Sequence, residues 1–232
     1  VPEGTPALRI LIFGATGMVG QGVLRECLLD PGIARVQTVG RTATGTADAR
    51  LRELALPDLR DLAAAEAELA SFDACFFCLG VSSSGMTEAA YTRVTYDLTL
   101  AVGETLARLN PGMTFIYVSG TGTDSSERGR SMWARVKGRT ENALSRLALR
   151  AFMFRPGIIE PLHGIRSKTP AYRLLYRLTG PLLPLLRAAF PDLIVTTEQV
   201  GRAMISVARH GAPARILENR DIRAAAARLD GA

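Results

Sequence analysis

One stretch near the N-terminus constrains the fold more than any other: Gly14-Ala15-Thr16-Gly17-Met18-Val19-Gly20. It follows an apolar run, Leu8 to Phe13, that reads as a buried strand. It opens a helical pattern from Gln21 to Leu29, stopped by Asp30-Pro31-Gly32. Glycines at this spacing between a strand and a helix have separate physical jobs. Gly14 permits the tight turn, Gly17 lets backbone approach a pyrophosphate, and Gly20 lets helix pack on strand. The helix start then offers free N–H groups and a positive dipole end to phosphates. The expected dinucleotide-binding set in this loop is Gly14, Thr16, Gly17, Met18, Val19 and Gly20.

The rest of the chain keeps the same rhythm. Short apolar segments read as strands at 35–39, 53–56, 73–79, 113–118, 151–155 and 214–217. Helical patterns read at about 59–70, 87–109, 131–149, 196–209 and 221–229. Such alternation implies an α/β, Rossmann-like doubly wound parallel sheet with helices on both faces and a small C-terminal substrate-side region. We expect a single NAD(P)-binding domain over 1–232, with 160–195 inserted as the roof of a substrate pocket. Within it, Tyr172 to Ile194 is dense in Leu and Pro. It fits a pocket roof, with contact to a membrane surface as the alternative reading.

Composition narrows the function classes. With 47% apolar and 22% charged residues, the chain has enough material for a sizeable core. No run of about 18 uncharged apolar residues exists, so no transmembrane segment is expected. The N-terminus does not read as a signal peptide. Three cysteines suit a reducing compartment, and a cytoplasmic location is expected. Residues 1–120 carry 9 basic and 13 acidic side chains, whereas residues 121–232 carry 19 and 9. The excess is scattered arginine, 26 in all, without basic runs, so nucleic acid is not the expected partner. Cys75-Phe76-Phe77-Cys78 has chelating spacing but lies in a strand, where residues three apart point to opposite faces; no metal site is expected.

Arg41 follows the second strand, 21 residues after Gly20. An acidic residue there would bind the ribose 2′-OH of NAD, whereas a guanidinium suits the 2′-phosphate of NADP. NADP(H) is therefore preferred over NAD(H).

These residues resemble the extended and atypical short-chain dehydrogenases/reductases, the NAD(P)H-binding, nucleotide-sugar-epimerase-like branch, similar to Tat-interacting tumour-suppressor-type oxidoreductases. The resemblance covers residues 8–160. It implies that Asp58 and Leu59, in Leu56-Pro57-Asp58-Leu59-Arg60-Asp61, lie at the adenine, and that Leu79 and Gly80 end strand four beside the cofactor. It implies that Pro156, Gly157 and Ile158 lie near the nicotinamide, and that Lys137, followed by Gly138 and Glu141, begins the active-site helix. Relatives often pair through the helices after strands four and five, so a monomer or homodimer is expected.

The family works with Tyr-x-x-x-Lys on one helix face and a strand-five hydroxyl. Here the stretch is Trp133-Ala134-Arg135-Val136-Lys137, with Ser119 or Thr121 as the hydroxyl. Lys137, Ser119 and Thr121 are the candidate catalytic residues, and Trp133 stands in the tyrosine's position. Indole donates one N–H but serves as neither acid nor base. Tyr91, Tyr96 and His163 are alternative proton sources; the plainer reading of each is a packing aromatic or a surface histidine. Two functions follow: an NADP(H)-dependent oxidoreductase acting on a small carbonyl or apolar molecule, or an NADP(H)-binding redox sensor or interaction module without turnover.

Overall fold

The computed structural model describes residues 7–165 and 192–229. Its elements are β1 (Leu8–Phe13), α1 (Met18–Leu29), β2 (Ile33–Gly40), β3 (Leu51–Ala55), α2 (Glu66–Leu69), β4 (Ala74–Phe77), α3 (Glu88–Thr92), α4 (Leu98–Leu109) and β5 (Thr114–Val118). Then come α5 (Met132–Leu144), β6 (Arg150–Arg155), β7 (Ile158–Glu160), β8 (Ile194–Thr196), α6 (Thr197–His210), β9 (Ile216–Glu218) and α7 (Asn219–Ala227). Seven strands form one sheet in the order β3-β2-β1-β4-β5-β6-β9, and every neighbouring pair is parallel. The order reverses between β1 and β4. Their carboxyl ends, Phe13 and Phe77, therefore flank the crevice in which such sheets bind ligands.

The strands are apolar on both sides because both faces are covered. Ile10, Ile12, Phe76, Ile116 and Phe154 pack against α1, α6 and α7. Leu11, Phe13, Phe77, Phe115 and Tyr117 face the other way, toward α4 and α5. There Phe77 stacks on Phe13 and Phe115, with ring centroids 5.6 and 5.7 Å apart. Thr196 caps α6 through a reciprocal pair of bonds with Gln199, which is the physical reason that helix starts where it does.

Four local expectations change. The pattern over 59–70 forms only a 3-10 turn at Ala63–Ala65 and the single turn of α2. The helix expected over 87–109 contains a π turn, Arg93–Asp97, between α3 and α4. The helix expected to run to 149 ends at Leu144. A second sheet pairs β7 with β8 in parallel; strands of three residues leave no periodic signal, and the partners are far apart in sequence. Most of the proposed roof, 166–191, lies outside the described residues, as does most of the apolar stretch 172–194. Among the described residues no helix is long and apolar enough to cross a membrane.

Candidate functional site

The glycine loop sits at the switch point. Gly14 has φ +83°, and an added Cβ would come within 2.8 Å of the Leu79 amide and 2.9 Å of the Cys78 carbonyl carbon. The ends of β1 and β4 are thus in backbone contact, with no space for a side chain. Gly17 is the N-cap of α1, and its own N–H bonds Gly14 O at 2.9 Å. Helical bonding begins with Gln21 N to Gly17 O at 2.8 Å. The amides of Met18, Val19 and Gly20 therefore belong to the turn whose N–H groups have no intrahelical acceptor. A Cβ at Gly17 would meet only Gly14 O, at 3.3 Å, so space lies beyond it. A Cβ at Gly20 would overlap Gly14, reaching 2.7 Å from its carbonyl carbon. No acidic side chain occupies the first turn of α1. Open amides, a backbone that approaches without side chains and no opposing negative charge fit a pyrophosphate.

Around this cradle, Gly80 opens onto empty space, with no atom within 4 Å of an added Cβ. Arg41 is exposed immediately beyond β2. Leu56 N bonds Gly40 O at 2.9 Å, which ties the next segment to the same strand end. Leu59 is buried in the core. Asp58 is exposed, and its carboxylate accepts from Arg60 Nη2 at 2.7 Å; that guanidinium pushes it down to about 2. Thr16 O accepts from Gln21 Nε2 at 3.1 Å.

Helix α5 carries the second half of the site. Gly138 lets it press on the β5–α5 loop, because any Cβ there would overlap the Asp124 carbonyl. Asp124 N in turn bonds Ala134 O at 3.1 Å. The Asp124 carboxylate holds the loop by accepting from Ser126 N and Gly129 N. Gly122, at φ +85°, leaves space for the indole of Trp133, 3.4 Å from where a Cβ would stand. Lys137, one turn on, lies with Nζ 6.0 Å from the Trp133 ring centroid and donates to the Ser119 carbonyl. Burial pushes the Lys137 ammonium down to about 8, partly opposed by the Glu141 carboxylate.

Both strand-five hydroxyls are hydrogen-bonded within the protein. Ser119 is buried, and its Oγ donates to Glu141 Oε1 at 2.5 Å. Thr121 is exposed, yet its Oγ1 donates to Arg155 O at 2.9 Å. Glu141 is buried and paired with Arg155 at 2.5 Å. Arg155 also reaches Ser125 Oγ at 2.5 Å and Glu218 at 3.7 Å. Pro156 O accepts from Thr121 N at 3.0 Å, Gly157 N donates to Asn219 Oδ1 at 2.9 Å, and Ile158 is exposed. The expected residues therefore form two groups, the glycine loop and the α5–β6 corner. The sequence motif that begins α5 contains Glu141, but its ion pair with Arg155 was not foreseen. An acid four residues after Lys137 on one helix was the available signal. Asn219, Glu218 and Gly122 carried none.

The alternative proton sources are each engaged within the fold. Tyr91 is buried, with its phenol pushed up by burial. The Tyr96 ring lies 4.2 Å from the Arg139 guanidinium. His163, at φ +57°, bonds Glu198 through Nε2 at 2.8 Å.

The Glu141–Arg155 pair makes a stability prediction. Glu141→Ala leaves a largely buried guanidinium with the neutral Ser125 hydroxyl and the longer Glu218 contact, and is expected to cost about 3 kcal/mol. Urea denaturation reads this directly. A loss under about 1 kcal/mol would mean that water or Glu218 replaces the carboxylate.

Comparison with known proteins agrees with this geometry. The sequence model described as the NAD dependent epimerase/dehydratase family matches residues 10–128. The protein fmp52, mitochondrial, of Emericella nidulans is 26% identical over 161 residues, 65% of this chain and 66% of that protein. The protein fmp52-1, mitochondrial, of Aspergillus terreus is 28% identical over 157 residues, with the same coverage of both chains. The matched stretch thus spans just under two thirds of the curated relatives' length. Among solved structures, the Bordetella bronchiseptica enzyme WbmF in complex with NAD+ aligns with a TM-score of 0.64 at 18% identity, over 98% of this chain and 78% of that one. The expected cytoplasmic location is corrected: both curated relatives carry a mitochondrial designation, and cysteine content alone does not distinguish one reducing compartment from another. With the family match running from β1 past the end of β5, over just more than half of its length, the chain belongs to the NAD dependent epimerase/dehydratase family.

Proposed function

We propose that this protein is an NADP(H)-dependent oxidoreductase acting on a small carbonyl or apolar substrate. The observation that carries the cofactor preference is Arg41, an exposed guanidinium one residue beyond β2, where an acidic side chain would select the 2′-OH. The α1 amides and dipole would hold the pyrophosphate, Arg41 the 2′-phosphate, and Lys137 the nicotinamide ribose. Leu79, Gly80 and the Pro156–Ile158 turn would border the nicotinamide, with Asp58 and Leu59 toward the adenine. A bound reduced nicotinamide supplies the hydride, while the protein orients it and the substrate.

Calorimetry is expected to give NADPH a lower Kd than NADH by about 10- to 150-fold, the worth of one charge-assisted phosphate contact. Equal affinities, or NADH preferred, would overturn the assignment to Arg41. Oxidation of NADPH against a panel of aldehydes, ketones and quinones tests the reaction. Trp133 favours a second reading, an NADP(H)-binding redox sensor or interaction module, because indole carries no titratable proton. Binding without turnover on the whole panel is its signature.

A further inference from the structure

We propose that Lys137 is itself the proton donor of this site, the role for which relatives use a phenol one helical turn earlier. The inference rests on the oxidoreductase reading above. Trp133 stands in the phenol's place, and among the described residues the hydroxyls of the β5–α5 loop nearest Lys137 are committed as donors. Ser119 Oγ donates to Glu141, Thr121 Oγ1 to Arg155 O, and Thr123 Oγ1 to Gly120 O at 2.7 Å. Glu141 is held by both Ser119 and Arg155, so its oxygens are occupied as acceptors. Lys137 Nζ lies between the Ser119 carbonyl, the indole and Gly120, where an added Cβ would be 3.9 Å from it. The single bond to the Ser119 carbonyl uses one of its three N–H donors.

Among the described residues the charges around Lys137 are few. Its own helix brings Glu141, β6 brings Arg155 bound to Glu141, and β9 brings Glu218 bound to Arg155. The nearby carboxylate is thus largely neutralised, and burial decides the titration, at about 8. An acid in that range is matched to proton transfer near neutral pH, where a phenol at about 10 needs a nearby cation. The step balances. The substrate carbonyl carbon takes a hydride, two electrons and a proton's mass, from a reduced nicotinamide dinucleotide, which becomes oxidised. The carbonyl oxygen takes one proton from Nζ, leaving a neutral amine that regains a proton from solvent.

The test uses a feature of the composition: Lys137 and Lys168 are the only lysines. Lysine labelled with 13C at Cε gives two resonances, and Lys137→Arg assigns them. The cofactor-free protein is expected to show Lys137 titrating near 8; titration near 10.5 overturns the proposal. In carbonyl reduction, kcat is expected to fall as pH rises and Lys137 loses its proton, since the acid must be protonated. Lys137→Arg keeps the positive charge but does not release a proton at these pH values. Any change in the ribose contact is read separately in the NADPH Kd, and at saturating NADPH the variant is expected to lose about 10²- to 10⁴-fold in kcat. Turnover with Lys137→Arg as fast as wild type overturns this proposal alone. A wild type that binds NADPH but turns over nothing on the panel overturns the oxidoreductase reading, and this proposal with it.

Discussion

Gly17→Val is expected to abolish NADP(H) binding in a protein that still folds, whereas Gly20→Val is expected to fail at the level of the fold. The two glycines are three residues apart, and the difference between them is spatial. Gly17 has φ −79°, a conformation open to valine, and its added Cβ would touch a single atom, Gly14 O at 3.3 Å. The rest of the branched side chain projects into the space over the α1 amides. A pyrophosphate excluded from those amides loses several charge-assisted hydrogen bonds of about 1.5–3 kcal/mol each, so affinity should fall more than about 100-fold. At Gly20 the added Cβ overlaps the backbone of Gly14 and lies 2.8 Å from Ala15 Cα, so α1 has to move off β1. Calorimetry and thermal melting separate the two outcomes. A Gly17→Val protein that binds NADPH normally would place the nucleotide elsewhere.

Trp133→Tyr is expected to raise carbonyl reduction most strongly above pH 8. The phenol would stand four residues before Lys137 on the same helix face, beside the loop that Gly122 holds open. In wild type the Lys137 proton is lost as pH rises through about 8. A phenol keeps its proton to about 10 once the neighbouring amine is neutral. The alkaline limit of kcat should therefore move up by one to two pH units. Where Lys137 has already lost its proton, the gain should be about 10²-fold or more. Tyrosine is smaller than tryptophan and the site is partly open, so the variant should fold. A rate that falls at every pH would mean that the indole shapes the substrate pocket. If neither protein turns over any carbonyl or quinone while both bind NADPH, the redox-sensor reading stands in place of the oxidoreductase.

The parts of the site that were legible in the sequence are those set by short stretches of chain. A strand end, a left-handed turn at Gly14 and a bare helix N-terminus are all decided within seven residues. Trp133 and Lys137 share a face because four residues make about one helical turn. The hydroxyl of Ser119 was not legible in the same way. Whether it faces the crevice or the protein interior depends on Glu141, 22 residues later, and on Arg155 beyond that. Nothing local to Val118-Ser119-Gly120 encodes the presence of a buried carboxylate. The same holds for Gly157, whose amide is met by Asn219 from the start of α7.

The alternation of strands and helices, the glycine turn between β1 and α1, and the placing of Trp133 one helical turn before Lys137 follow from local sequence alone. Turn chemistry, helix starts and hydrophobic runs act over a few residues and need no knowledge of the rest of the chain. Tertiary packing set the β7–β8 pairing, the π turn between α3 and α4, and the hydrogen bonds that hold the Ser119 and Thr121 hydroxyls. It also decided the buried setting that lowers the affinity of Lys137 for its proton. These depend on which distant groups packing brings together. A buried carboxylate must find donors, a three-residue strand must find a partner, and an ammonium removed from water holds its proton less tightly.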